Sequence, residues 1–209
     1  MNITIIGASS GIGLITARQA LAKGYQVTTL SRNLDTIPDH PSLVKISGTA
    51  TSVKDVKEAV SMADAVIVTI GKSKDKAPAL FPDTAKALIT AFSELQLTVP
   101  LIVITGFGAG DSLRYNSSLL VSIVIGMILK KEYVYKTEME KMLSESTLKW
   151  EVVRPARLTN GSFTGKYRII PELYKGMKVK KISRADVADF LLGQAELPTM
   201  LYQHVTLTY

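Results

Sequence analysis

The chain contains no cysteine, which excludes disulfides, cysteine-based metal centres and a cysteine nucleophile. Histidine is scarce too: only His40 and His204 are present, so a multi-histidine metal site is not expected. The residues around these two histidines do not suggest Ser-His-Asp chemistry. The sequence therefore predicts no metal site and points away from thiol chemistry.

Long apolar runs are also missing. The most apolar stretch, residues 119–129, has 11 residues, whereas a membrane-spanning helix needs about 20. A buried helix, a lid over a pocket or an oligomer contact fits this stretch better. The two lysines that follow leave an interfacial anchor as an alternative. Because the chain enters an apolar strand at once, without a secretory signal pattern, we expect a cytoplasmic protein.

The length and hydrophobic content of the chain suit one packed domain. The 209 residues are 46% hydrophobic, enough for a single α/β domain over residues 1–209. The net charge of +7 could favour nucleic acid or an acidic membrane. However, the lysines are dispersed and no nucleic-acid motif is present, so a basic surface that attracts an anionic dinucleotide is favoured. No nucleic-acid partner is expected.

The first 32 residues carry the strongest pattern. An apolar run at 2–6, a glycine-rich turn at 7–13, an amphipathic stretch at 14–23 and a second apolar run at 25–30 predict a βαβ unit. Its continuation supplies further apolar runs that alternate with amphipathic ones. This alternation predicts an α/β fold in three layers, with a doubly wound parallel sheet at the centre.

The turn has the spacing G-x-x-x-G-x-G. Gly7 allows a tight turn, Gly11 leaves room for a pyrophosphate near the backbone, and Gly13 lets the helix pack closely on the sheet. Ser9 and Ser10 can cap the helix or donate hydroxyls to phosphate oxygens. A glycine-rich turn with no ligand is the alternative, but the flanking elements stand at the spacing of a dinucleotide site.

Arg32 indicates which dinucleotide the predicted site prefers. It ends the second apolar run, 19 residues after Gly13, where NAD-binding folds usually have an acid for the ribose 2′-hydroxyl. An arginine preceded by Ser31 suits a 2′-phosphate instead, so NADP(H) is preferred and NAD(H) is possible. A solvated surface arginine is the alternative, and Asp35 could still act as the acid.

The later elements are read from the same periodicity. Strands are predicted at 43–47, 64–70, 99–104, 150–154 and 204–208, with a short edge strand at 167–170 and a polar loop at 157–165. Helices are predicted at 53–62, 82–95, 132–145 and 185–194, the last with Ser183 as its cap.

Several segments together resemble one family. Gly7-Ala-Ser-Ser-Gly-Ile-Gly13 looks like the cofactor loop of short-chain dehydrogenases/reductases. The segments 105–112, 148–161, 165–168 and 182–192 resemble the atypical, single-domain branch. That branch includes flavin reductase and biliverdin-IXβ reductase-like NAD(P)H-binding proteins, and relatives labelled NAD-dependent epimerase/dehydratase. The resemblance covers nearly the whole chain and implies an NAD(P)-binding Rossmann fold.

The resemblance also implies a set of cofactor-binding residues. They follow the strands predicted to form the sheet and include the arginine discussed above. They are Gly7, Ser9, Ser10, Gly11, Ile12, Arg32, Thr69, Ile70, Gly71, Gly106 and Pro155.

For the reaction, the resemblance implies Lys136, Tyr133 and Thr105 as candidate catalytic residues. The usual Tyr-x-x-x-Lys motif is absent, because Tyr133 and Lys136 are three apart. Ala50 also replaces an acid that often contacts adenine. These departures put ordinary alcohol dehydrogenation in doubt but suit a planar conjugated acceptor, for which stacking against the nicotinamide is the main requirement.

Three functions remain open. The first is an NAD(P)H-dependent reductase of a flavin, quinone or bilin, acting by direct hydride transfer as a monomer or homodimer. The second is a non-catalytic NADP(H)-binding sensor or regulator. The third, a nucleotide-sugar epimerase/dehydratase, is disfavoured because 209 residues leave little room for a substrate lobe.

Overall fold

The structure, a computed structural model, describes residues 1–71, 79–115 and 130–209. Within these residues the helices are α1 (Gly11–Ala22), α2 (Val53–Val60), α3 (Leu80–Glu94), α4 (Lys130–Ser144) and α5 (Arg184–Glu196), with a 3₁₀ turn at Ser112–Tyr115. The strands are β1 (Asn2–Ile6), β2 (Gln26–Ser31), β3 (Leu43–Ser47), β4 (Ala65–Val68), β5 (Leu101–Ile104), β6 (Trp150–Pro155), β7 (Arg157–Thr159), β8 (Arg168–Ile170), β9 (Lys181–Ser183) and β10 (His204–Thr208).

The main sheet has the order β3-β2-β1-β4-β5-β6-β10-β8. All neighbouring pairs are parallel except β10 and β8, which are antiparallel. The order runs outward from β1 in both directions, so the direction of winding reverses between β1 and β4. The predicted doubly wound α/β fold is confirmed.

Two apolar clusters hold the three layers together. One joins a face of the sheet to α1 and α5, and the other joins the opposite face to α2, α3 and α4. Every residue of β4 and β5 is buried, as expected for parallel strands covered on both faces. Their continuous apolar runs are the reason these central strands were predictable.

The polar segment at 157–165 was predicted to be a loop, and this prediction is wrong at its start. Residues Arg157–Thr159 form β7, which pairs in parallel with β9 in a small second sheet. A three-residue strand is too short to show a hydrophobic period, and its partner lies more than twenty residues downstream. The predicted edge strand at 167–170 and the predicted cap of α5 by Ser183 are confirmed, because the Ser183 side chain accepts a hydrogen bond from the Asp186 N–H.

One acidic side chain of the described core has no hydrogen-bond partner for its carboxylate. Glu151 on β6 is fully buried, and neither carboxylate oxygen has a hydrogen-bond partner within the described residues. Burial raises the pKa of this carboxyl to about 8. Glu151 is therefore held mainly as the neutral acid at neutral pH.

The predicted apolar stretch at 119–129 lies outside the described residues. Among the helices of residues 1–71, 79–115 and 130–209, none combines the length and apolar character needed to cross a membrane.

Candidate functional site

The glycine turn connects β1 to α1 at the carboxyl edge of the sheet. A Cβ on Gly13 would lie 2.3 Å from the Thr69 hydroxyl oxygen and 2.4 Å from the Gly7 carbonyl oxygen, so only glycine fits. The Thr69 hydroxyl is also within hydrogen-bond distance of the Ile6 and Gly7 carbonyls. These contacts place the start of α1 directly against β1 and β4. The close packing predicted for Gly13 is thus seen in the structure.

The Ser10 side chain does not cap α1. Ser10 is the N-cap residue, but its hydroxyl makes no capping hydrogen bond. The first turn of α1 also contains no acidic residue. The positive end of the helix and the hydroxyl beside it therefore face a surface where an anion would be stabilised.

A cleft of about 620 Å³ opens at this edge of the sheet. Its walls follow the carboxyl ends of five strands and one side of α4, with contributions from α3 and β7. The cleft-lining residues are Ile6, Gly7, Ser9, Ser10, Gly11, Ile12, Leu30, Ser31, Arg32, Asn33, Gly48, Thr49, Ala50, Thr69, Ile70, Gly71, Leu80, Ile104, Thr105, Glu132, Lys136 and Leu158.

One end of the cleft is formed by the residues after β2 and β3. Ser31 is buried, and its hydroxyl has no hydrogen-bond partner within the described residues, although it lies beside the cleft. Arg32 and Asn33 follow it, and Ala50, three residues after the end of β3, also lines the cleft. A buried hydroxyl without a partner is costly unless a ligand group satisfies it.

The other end of the cleft contains a mostly buried ion pair. The Lys136 ammonium nitrogen lies 2.9 Å from a Glu132 carboxylate oxygen, one helical turn away on α4. The same nitrogen lies 5.4 Å from the centre of the Phe81 ring and 4.8 Å from that of the Tyr133 ring. A charge held by a carboxylate and two aromatic faces is fixed in position at the cleft wall.

Thr105, which directly follows β5, lies near this pair but has a separate anchor. Its hydroxyl donates a hydrogen bond of 2.5 Å to Glu140 Oε1. Glu140 in turn receives two hydrogen bonds from the guanidinium of Arg154, from Nε at 3.1 Å and from Nη2 at 2.8 Å. Because the Thr105 proton is committed to Glu140, its oxygen offers only lone pairs to the cleft.

Tyr133 is not among the described residues that line the cleft. Its hydroxyl oxygen would be 3.3 Å from a Cβ on Gly106. Burial, and secondly the charge of Glu132, raise the pKa of Tyr133 to about 12. The phenol is therefore a weak proton donor at neutral pH.

The structure brings most of the predicted site residues together. All predicted cofactor residues except Gly106 and Pro155 line the cleft, as do Lys136 and Thr105. Gly106 and Pro155 lie at the ends of β5 and β6 and are linked to the site through Phe107, whose N–H bonds to the Pro155 carbonyl at 3.0 Å.

Two acids of this region were missed by the sequence prediction. Glu132 lines the cleft, and Glu140 is buried behind it. Both stand four residues from Lys136, one on each side, so the i,i+4 spacing on a predicted helix was a usable signal. Leu158 was missed because its strand was predicted to be a loop.

No group of three or more His, Asp or Glu side chains that could hold a metal ion occurs in the part of the chain that the structure describes.

Several solved structures share this fold. A short-chain dehydrogenase/reductase from Veillonella parvula DSM 2008, solved in complex with NADP, matches with a TM-score of 0.84 at 20% identity, covering 100% of this chain and 94% of that chain. ChuY, described as an anaerobillin reductase from Escherichia coli O157:H7, matches with a TM-score of 0.80 at 24% identity, covering 100% and 97%. A putative NAD-dependent epimerase/dehydratase from Bacillus halodurans matches with a TM-score of 0.79 at 19% identity, covering 100% and 94%.

At these identities the structures establish the fold, and the family comes from the sequence itself. The sequence profile described as NAD(P)H-binding matches residues 7–198, from the first glycine of the turn to the region after α5. The match includes the glycine turn and almost all of the cleft. The chain therefore belongs to the NAD(P)H-binding family.

Proposed function

We propose that the protein is an NAD(P)H-dependent reductase of a planar conjugated acceptor such as a flavin, quinone or bilin. The observation that carries this proposal is the continuity of the cleft. One set of walls runs from the glycine turn and Arg32 to Thr105, Glu132 and Lys136. A dinucleotide bound along it would have its phosphates at the turn and its nicotinamide near polar groups that can serve a reaction.

The residues present fit NADP(H). The unpartnered, buried hydroxyl of Ser31 stands beside Arg32 at the end of β2. A ribose 2′-phosphate there would satisfy the Ser31 hydroxyl and could accept hydrogen bonds from the guanidinium, whereas a 2′-hydroxyl carries no charge for the guanidinium to bind. When bound, the reduced cofactor supplies a hydride. NADPH is therefore the proposed donor, with NADH as a weaker substitute.

The chain's own groups would act at the opposite end. The Thr105 oxygen can accept a hydrogen bond from an amide N–H, because its own proton is given to Glu140. Thr105 is thus an orienting group, not the proton donor. Lys136 lines the cleft, and Glu132 holds its ammonium group in place. We assign proton delivery to Lys136, and Tyr133, with its pKa near 12, supports the lysine through its ring.

The absence of Tyr-x-x-x-Lys suits an acceptor that is already conjugated. Such a ring accepts a hydride directly once it is held against the nicotinamide, so proximity supplies much of the rate. The apolar side chains of Leu80, Ile104 and Leu158 line the cleft and could contact such a ring. The description of the Escherichia coli relative as an anaerobillin reductase supports a bilin-like acceptor.

The test is an assay of NADPH oxidation, followed at the nicotinamide absorbance, with a panel of flavins, quinones and bilins. We expect turnover with at least one of these acceptors, and tighter binding of NADPH than of NADH in a parallel titration. Tight NADPH binding with no turnover on any acceptor would overturn the reductase proposal and leave a dinucleotide-binding sensor. Equal affinities for the two cofactors would overturn the NADP(H) preference.

A further inference from the structure

Helices α1 and α5 lie side by side and begin at the same edge of the sheet. The Gln19 side-chain nitrogen lies 3.3 Å from the Ala185 carbonyl oxygen near the start of α5. Near the other end, the Lys23 ammonium nitrogen lies 2.6 Å from a Glu196 carboxylate oxygen. Both contacts follow the same order along the two helices, so α1 and α5 run in the same direction, with the start of α5 against the third turn of α1.

Arg184 is the residue that this arrangement brings to the glycine turn. It is the first residue of α5, and its Nε lies 3.9 Å from the point where a Cβ on Gly11 would stand. Apart from the adjoining backbone, no other heavy atom of the described residues comes within 4 Å of that point. Gly11 lines the cleft with a φ of +57°. The open space over this glycine is thus bordered by a guanidinium group.

The orientation of Arg184 is fixed by a neutral partner. Its Nη1 donates a hydrogen bond of 2.7 Å to the Asn160 side-chain oxygen. Within the described residues, no carboxylate lies within 4.0 Å of Arg184. A half-buried guanidinium that is oriented by an amide keeps its full positive charge for another group.

The nearest acid in sequence does not take this role. Asp186 accepts hydrogen bonds from the backbone of Thr164 and Gly165 and from the side chains of Ser183 and Tyr209. Burial alone would raise the pKa of Asp186, but these hydrogen bonds lower it to about 2. The negative charge of Asp186 therefore stabilises the loop at 164–165 and the start of α5 and does not pair with Arg184.

We propose that Arg184 binds the diphosphate of NAD(P)H, clamping it against the glycine turn from the side of α5. This inference rests on the proposed function, because it takes the cleft to be the dinucleotide site. It assigns Arg32, which lines the cleft, and Arg184, which borders it at Gly11, to different parts of one ligand. Arg32 would bind the 2′-phosphate, which only NADP(H) has. Arg184 would bind the diphosphate, which both cofactors share.

The experiment measures the dissociation constants of NADPH, NADH and adenosine 2′-monophosphate for the full chain and its variants. Arg184→Ala should weaken NADPH and NADH by the same factor, about tenfold or more, because each loses one charge-assisted contact. The same change should leave adenosine 2′-monophosphate, which has no diphosphate, within about twofold of its original affinity. Arg32→Ala should give the opposite pattern and weaken only the two ligands that carry a 2′-phosphate.

Arg18→Ala is the matched control. It removes the same charge from an exposed position on α1, away from the glycine turn, and should change none of the three constants. Arg184→Lys, which keeps the charge, should recover part of the lost affinity and provides a second variant if Arg184→Ala folds poorly. A thermal melt of each variant checks the fold.

Two results would overturn the inference while leaving the proposed function intact. One is unchanged NADPH and NADH binding in Arg184→Ala. The other is a loss confined to NADPH or shared by adenosine 2′-monophosphate, which would place the arginine at the adenosine end. If the unmodified chain binds neither dinucleotide, the proposed function itself fails.

Discussion

Glu140 and Arg154 form a buried, two-pronged ion pair directly behind the cleft-lining hydroxyl of Thr105. Both side chains are almost completely buried, and the Glu140 oxygens receive Nε and Nη2 of Arg154. The remaining Nη1 reaches Asp111, an exposed acid in the loop after β5, at 3.1 Å. Arg154 thus has one acidic partner inside the protein and one at its surface.

This asymmetry predicts very different effects for two similar substitutions. Glu140→Gln should destabilise the protein by about 3–5 kcal/mol, because it leaves the buried arginine without its main counter-charge. Asp111→Asn should cost less than about 1 kcal/mol, because that partner is exposed to solvent. Chemical denaturation of both variants checks this, and equal losses would contradict the assignment of Glu140 as the main partner.

Gly110 lies next to the same ion pair, so we expect a larger residue at this position to destabilise the protein. A Cβ on Gly110 would stand 2.2 Å from Arg154 Nη2 and 2.9 Å from Glu140 Oε2. Gly110→Ala should therefore displace the pair in addition to straining a backbone with φ of +59°.

Gly24→Ala is the matched control, since Gly24 also has positive φ, +81°, but its added Cβ would meet no atom of the described part of the chain within 4 Å. Its cost should be the backbone strain alone, about 1–3 kcal/mol. Gly110→Ala should cost about 1–3 kcal/mol more than this, as overpacked sites do. Denaturation midpoints that shift equally for the two variants would show that the ion pair adapts without loss.

Two glutamate–lysine pairs, one within α4 and one at its end, allow a test of the proposed proton donor. Lys136 pairs with Glu132 in the cleft wall, whereas Lys141 pairs with Glu145 on the exposed surface, at 3.8 Å. In the proposed reaction, Lys136→Met should lower kcat by on the order of 100-fold, as loss of a general acid does. Lys141→Met should leave kcat unchanged. A Lys136→Met enzyme with unaltered kcat would show that solvent supplies the proton.

The buried carboxyl of Glu151 predicts a dependence of stability on pH. The pKa is about 8 in the folded state and near 4.5 when exposed, so the folded state holds an extra proton between these values. Stability therefore falls as pH rises from about 4.5 to about 8, by up to a few kcal/mol from this group. Glu151→Gln should remove that fall, stabilising the protein at pH 8 with little effect near pH 4.5. Denaturation curves at several pH values check this, and parallel pH profiles for the two proteins would contradict it.

The central fold could be predicted because its signals are local. The run that became β4 is apolar throughout, β1 is mostly isoleucine, and the glycine turn between strand and helix has a spacing that few other structures need. Arg32 and the residues after β4 could be placed in one cleft because the carboxyl ends of parallel strands share an edge.

The rest depended on contacts between distant residues. Nothing near Arg157 or Lys181 in the sequence shows that β7 and β9 pair with each other. The link from Thr105 through Glu140 to Arg154 joins β5, α4 and β6, and no periodicity reports it. Arg184 looks like an ordinary helix-start residue until the packing of α5 against α1 brings it to Gly11.

The place of β10 has a consequence for synthesis of the chain. This strand lies between β6 and β8, yet both of those strands leave the ribosome before it does. Until residues 204–208 emerge, the outer edge of β6 presents unpaired backbone N–H and C=O groups. Such an edge readily pairs with other chains, so a product that stops before β10 would be prone to aggregate.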